Sequence, residues 1–169
     1  MPRKTNFQTV PLAEISSKGL VPEPVATKPV VLVVDDEAVI ADTLAAILNR
    51  NGMLAMAAHN GQTALDIARL IPPDLLLTDV VMPDMSGIDL AIAVKQALPQ
   101  CKILLFSGQA STMDLLASAR AEGHDFAVIA KPVHPAELLK RISEDLQSFP
   151  GKHLNTGLKT PHLPAPIVA

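Results

Sequence analysis

The sequence predicts an α/β domain in which five parallel strands form one doubly wound sheet and alternate with five helices, a (βα)5 unit. Three observations carry this. From residue 30 to residue 148, short apolar runs alternate with amphipathic stretches of helical spacing. The first run, Val30-Val31-Leu32-Val33-Val34, is apolar throughout and rich in β-branched residues, which suits a strand buried on both faces. Four of the five runs end in polar residues, at the carboxyl edge where parallel sheets place their ligands.

The elements follow in order. After the first strand, Ile40, Leu44, Ile47 and Leu48 recur at helical spacing, and Gly52 is suited to stop that helix. Met53–Ala58 is a weaker second strand. Asn60-Gly61 turns into a helix with Leu65, Ala68 and Ile71 on one side, closed by Pro72-Pro73. Leu75–Asp79 is the third strand. Ser86 with Asp89 three residues on signals the start of a helix that reaches Leu98 and stops at Pro99. Lys102–Phe106 is the fourth strand, running into Ser107-Gly108, and a helix follows from about Ser111 to Ala121. Phe126–Ala130 is the fifth strand. Pro135 opens the last helix, which carries Leu138, Leu139, Ile142 and Leu146.

Composition removes several classes of function. With 49% hydrophobic residues in 169, the chain is too apolar for wholesale disorder. The lone Cys101 excludes an intramolecular disulfide framework and a Cys-based zinc site, and reads as a small apolar residue at a strand edge. The apolar runs are far shorter than a membrane span, and the N-terminus lacks the apolar segment of a secretory signal. Four Phe, no Trp or Tyr and a net charge of −3 weigh against a base-stacking surface. A soluble cytoplasmic protein with no membrane partner is expected.

The charge is unevenly laid out. Residues 1–29 hold five Pro and four Lys/Arg against two Glu; residues 149–169 hold four Pro and two Lys with no acid. Residues 30–148 hold 15 Asp/Glu against eight Lys/Arg, a net of −7. The expected organisation is a basic Pro-rich extension over 1–29, an acidic domain over 30–148 and a basic Pro-rich tail over 149–169. Both flanks are expected to be mobile, because aperiodic Pro-rich segments bury too little surface to offset their entropy.

The chemistry stands at the strand ends. Asp35-Asp36 follows strand one, Asp79 ends strand three, Ser107 follows strand four, and Lys131-Pro132 follows strand five. Three carboxylates in one pocket repel one another and call for a cation. Hard oxygen ligands without His or Cys suit Mg²⁺. A lysine and a hydroxyl directed at the same place suit an anionic phosphoryl group, and a carboxylate can be its nucleophilic acceptor. Each residue alone also has a plainer role. An Asp at a strand end caps a helix, a Ser after a strand makes a turn, and a lysine is a solvated charge. His134 reads as a helix-capping or surface histidine, and His59, His124, His153 and His162 are too scattered for a metal set.

These residues together resemble the receiver domain of bacterial two-component response regulators, over about 119 residues from Val30 to Ser148. The matching features are Asp35-Asp36, the stretch from Asp79 through Met82-Pro83 to Ser86-Gly87, Phe106-Ser107-Gly108, and Lys131-Pro132 followed by Val133–Leu138. The resemblance implies a flavodoxin-like fold with Asp79 as phosphoacceptor. It implies Mg²⁺ held by Asp36, Asp79 and the backbone carbonyl of Val81, with Asp35 acting through water. Lys131 would bind a phosphoryl oxygen, its peptide bond to Pro132 would be cis, and Ser107 would swing toward the phosphoryl group.

Two positions depart from the family pattern. Receivers commonly carry Tyr or Phe three residues before the lysine; here Val128 stands there, and the nearest aromatic is Phe126. Either a local irregularity displaces Phe126, or switching uses no aromatic rotor. Val81 and Gln109 occupy positions that govern attack of water on the acyl phosphate, and apolar Val81 predicts slow self-dephosphorylation. The resemblance implies phosphorylation by a sensor histidine kinase. Output would then pass through a protein partner or a histidine phosphotransferase. A stand-alone receiver, no direct DNA binding and no separate enzyme activity are expected. The competing reading is a receiver-fold scaffold that works without phosphorylation. A hydrolase of the aspartyl-phosphate class is disfavoured, because Val81 replaces the second acid.

Overall fold

The computed structural model describes residues 27–108 and 112–147. Five strands, β1 (Val30–Val34), β2 (Leu54–Ala58), β3 (Leu75–Asp79), β4 (Lys102–Ser107) and β5 (Ala127–Ala130), form one parallel sheet in the order β2-β1-β3-β4-β5. Between and after them run α1 (Ala38–Arg50), α2 (Gly61–Leu70), α3 (Gly87–Ala97), α4 (Thr112–Ala121) and α5 (Pro135–Gln147). This is the expected doubly wound α/β architecture with flavodoxin-like strand order. The expectations for the two flanks fall on residues outside those described, apart from Thr27–Pro29.

The pleat sorts the core into two faces. Val31, Val33, Leu75, Leu77, Leu104 and Phe106 pack with α1 and α5 through Ala41, Ala45, Leu48, Leu138, Ile142 and Leu146. Their neighbours Leu32, Val34 and Leu76 face α2 and α3, and Leu105 packs with Ile88, Ala91 and Ala119 under α3 and α4. Alternate residues of one strand thus serve opposite layers, which is why Leu75, Leu76 and Leu77 of the central β3 are apolar in succession. Each fully buried Leu or Val contributes roughly 1.5–3 kcal/mol of transfer free energy.

Local chemistry sets most of the helix ends. Asn60 caps α2 by accepting from the Thr63 amide at 2.8 Å. Ser86 caps α3, accepting from the Asp89 amide at 3.1 Å while its hydroxyl donates to the Asp89 carboxylate at 2.6 Å. The ring Nδ1 of His134 accepts from the Ala136 amide at 3.2 Å, the capping role expected of it. Gly52, at φ +86°, follows the end of α1 in the left-handed region that glycine occupies without steric cost. Asn49 acts as a surrogate strand, bonding both the amide and the carbonyl of Ala55 on the edge strand β2.

Three expectations shift. In α1 the fully buried stripe is Ala41, Ala45 and Leu48, while Ile40, Leu44 and Ile47 are only half-buried. Small residues let the helix approach the sheet, and the larger ones fill its flanks. Ile71 is not on the buried side of α2; it is the C-cap, and both it and Leu70 are exposed. Pro72 forces the residue before it out of helical geometry and turns the chain away. Strand β5 begins at Ala127, with Phe126 just outside it.

Candidate functional site

β1 and β3 are neighbours whose connections leave on opposite sides of the sheet, which opens a crevice at their carboxyl ends. Asp35 and Asp36 leave β1 there, and Asp79 ends β3. Carboxylate oxygens of Asp35, Asp36 and Asp79 all lie within 4.8 Å of one another. Asp35 is buried, Asp79 half-buried and Asp36 exposed, so the cluster runs from the interior to solvent.

Lys131 reaches the cluster from the end of β5. Its ammonium donates to Asp35 Oδ2 at 2.8 Å and lies 3.4 Å from Asp79 Oδ1. It also sits 4.7 Å from the centre of the Phe106 ring, a cation–π contact. The Lys131–Pro132 peptide is cis, as the family resemblance implied, and the Lys131 amide donates to the Ser107 carbonyl at 2.6 Å.

The electrostatics follow from this crowding. Burial raises the Asp79 pKa above the ordinary carboxylate value and the Asp35 charge adds to that, against the lowering pull of Lys131 and the Val80 amide. Burial alone would lower the Lys131 pKa, but its bond to Asp35 and the charges of Asp79 and Asp35 outweigh that and raise it. Lys131 therefore stays protonated among more carboxylate than it can neutralise. Three converging carboxylates with no nitrogen or sulfur donor among them fit a hard divalent cation such as Mg²⁺.

Asp79 is held by its own backbone. Its Oδ1 accepts from the Val80 amide at 2.9 Å, and its carbonyl accepts from the Thr78 hydroxyl at 3.0 Å. Gly87, the first residue of α3, passes so close that a Cβ there would lie 1.7 Å from the Asp79 carbonyl oxygen. Val81 follows in the loop with its side chain exposed.

Ser107 is placed differently from the charged set. Its hydroxyl is buried and lies 2.7 Å from the hydroxyl of Thr112, the first residue of α4. Val128 pairs with Leu105 in unbroken β4–β5 register and is 42% exposed, so no irregularity moves an aromatic into its place. Phe126 instead packs among Leu105, Leu116 and Ala119 and stacks on His124 at 5.9 Å. Gln109 lies outside the described residues. Sequence reasoning thus marked Asp35, Asp36, Asp79, Ser107 and Lys131. It missed Phe106 beneath the lysine and Thr112 against the serine. Phe106 sat in a quoted motif, next to Ser107; nothing local signalled Thr112.

This sheet, with an acidic crevice and a lysine at its carboxyl edge, defines a flavodoxin-like, doubly wound α/β domain. The family model described as the response regulator receiver domain matches residues 31–143, and the chain belongs to that family. The probable transcriptional regulatory protein TcrX of Mycobacterium tuberculosis is 34% identical over 112 residues, covering 66% of this chain and 47% of that one. The transcriptional regulatory protein CreB of Escherichia coli is 32% identical over 112 residues, covering 66% and 48%. Among solved structures, a CheY-like receiver domain protein from Methanospirillum hungatei is similar, with 29% identity and a TM-score of 0.65 over 72% of this chain and 95% of that one. The chemotaxis protein CheY4 of Vibrio cholerae gives 28% and 0.62 over 70% and 98%. The chain spans about half the length of the curated relatives it matches. Several relatives are named DNA-binding response regulators, so the comparisons lend no support to the expectation of no direct DNA binding. Among the described residues, no helix is long and apolar enough to cross a membrane.

Proposed function

We propose that this receiver is a phosphorylation switch in which Asp79 accepts a phosphoryl group from a phosphohistidine of a sensor histidine kinase. A carboxylate oxygen of Asp79 forms the new bond to phosphorus as the phosphorus–nitrogen bond breaks, and the electron pair returns to the donor imidazole. Asp36, Asp79 and the Val81 carbonyl would hold Mg²⁺, with Asp35 acting through water. Bound there, the ion supplies positive charge to the phosphoryl oxygens.

This chain's own residues do the rest. Lys131, held by Asp35 and Phe106, offers its ammonium to a phosphoryl oxygen. The Val80 amide orients the Asp79 carboxylate. Ser107 donates its hydroxyl to another phosphoryl oxygen. Exposed, apolar Val81 leaves water unoriented, so the protein releases phosphate slowly and does no chemistry on an external substrate. The switched state passes on through contacts with a protein partner or a histidine phosphotransferase, in the cytoplasmic compartment where its kinase phosphorylates it.

The observation that carries this is the meeting at one sheet edge of Asp35, Asp36 and Asp79, with oxygens within 4.8 Å of one another, and of Lys131 in ion-pair contact with Asp35 and Asp79. Val128 in place of an aromatic favours the second reading, a scaffold that works without phosphate. Incubation with acetyl phosphate and Mg²⁺, followed by intact mass, separates the two. The switch gains one phosphoryl group, lost in Asp79→Asn. No gain, or a gain that survives Asp79→Asn, overturns it.

A further inference from the structure

The Ser107–Thr112 pair joins the hydroxyl at the end of β4 to the first turn of α4. Both side chains are buried, at 7% and 3% exposure, and their hydroxyl oxygens are 2.7 Å apart. Thr112 opens α4, and the buried residues of that helix are Thr112 and Ala119 alone. Its hydroxyl therefore ties the first turn of α4 to the end of β4.

A serine hydroxyl has one proton to donate. Phosphoryl oxygens are acceptors, so Ser107 can serve the phosphorylated site only by turning its proton toward it. In the unphosphorylated protein the Ser107 and Thr112 hydroxyls pair, with either able to donate, and the pairing fixes the Ser107 rotamer in a site of low dielectric, where a bond is costly to break. From this geometry we infer that Thr112 is a positioning residue that holds the Ser107 hydroxyl in the unphosphorylated arrangement and is released when Ser107 turns to the phosphoryl group. The inference rests on the phosphoacceptor reading of Asp79. It makes the first turn of α4 the part of the fold that senses the site, through a side-chain bond rather than an aromatic rotor.

A contact present in one state only biases the equilibrium against the other state by its own free energy. Thr112→Val keeps the shape and removes the hydroxyl. A net hydrogen bond of ordinary strength corresponds to about a fivefold change in equilibrium.

Beryllofluoride with Mg²⁺, titrated into the full chain, should bind Thr112→Val about fivefold more tightly than wild type. Thr112→Ser should restore the wild-type affinity. In a Ser107→Ala background, adding Thr112→Val should change nothing further. A merely structural Thr112 would lower stability without tightening binding. Equal or weaker binding by Thr112→Val therefore overturns the inference, as does a Ser107→Ala background that leaves its effect intact. Should Thr112→Val not fold, the Thr112 methyl resonance of wild type is the readout. It should move on saturation with beryllofluoride and stay fixed in Ser107→Ala; an unmoved wild-type resonance overturns the inference. Failure of wild type to bind beryllofluoride at all would instead refute the phosphoacceptor reading.

Discussion

Substituting Gly87 by Ala sets two physical effects against each other. Gly87 opens α3, and by helix propensity alone an alanine there would stabilise by up to about 1 kcal/mol. The tertiary structure reverses the sign. A Cβ at residue 87 would lie 1.7 Å from the Asp79 carbonyl oxygen and 2.8 Å from its carbon. Real Cβ contacts stay at or beyond 3.0 Å, so a gap of roughly 1.3 Å must be opened between two backbones. The start of α3 resists this, being tied by the Gly87 amide to the Val80 carbonyl at 2.9 Å and by the Ser86 cap. Overpacking of a rigid site costs about 1–3 kcal/mol, and here no flexible side chain can yield, which points to the upper end. After the propensity gain, a net loss of about 2 kcal/mol remains, or roughly 8 °C in melting temperature for a domain of this size. Urea and thermal unfolding of Gly87→Ala measure it. Gly123→Ala is the control: it has open space around it and φ +92°, so only the left-handed backbone cost of about 1 kcal/mol is expected. Gly87→Ala melting at or above wild type would refute the steric argument.

Three further outcomes are expected. Because burial raises the Asp79 pKa, the folded state favours the protonated form; its ionisation costs stability that grows as pH rises from the ordinary value of 3.8 through the raised value. In EDTA, Asp79→Asn should therefore be more stable than wild type at pH 7, with the difference vanishing in acid; urea titrations across pH that show no gain at pH 7 would contradict this. Burial pushes the Cys101 thiol up to about 12 and leaves it 2% exposed, so a thiol reagent at pH 8 should label the protein only in denaturant. Fast labelling of the folded protein would show that the strand edge opens. If Asp79 is phosphorylated, Val81→Asn should shorten the lifetime of the phosphorylated protein by presenting a side chain that orients water; an unchanged lifetime, followed by loss of the phosphoryl mass, counts against that role for residue 81.

The site was legible in the sequence to the extent that it lies at chain punctuation. Asp35-Asp36, Asp79, Ser107 and Lys131 each stand where an apolar run stops, and a parallel sheet gathers such ends at one edge. Thr112 had no such marker. Its hydroxyl meets that of Ser107 five residues back in the chain, a contact that no local pattern encodes. Phe106 was visible as a strand residue, but its place under Lys131 depends on β4 and β5 being neighbours.

The sequence by itself determined the alternation of strands and helices, the caps at Asn60 and Ser86, the layout of charge and the set of acidic strand ends. These follow from periodicity and local hydrogen bonding, which act over a few residues. Tertiary structure alone decided which side chains within those elements are buried. It made Ala41 and Ala45, rather than Ile40 and Ile47, the seam of α1, and it left Ile71 at the surface. It also decided that Gly87 must be glycine, and that the aromatic near β5 packs under α4 and leaves Val128 at its own register. Each of these depends on the distance between two backbones far apart in the chain, and that distance is set only when the layers pack.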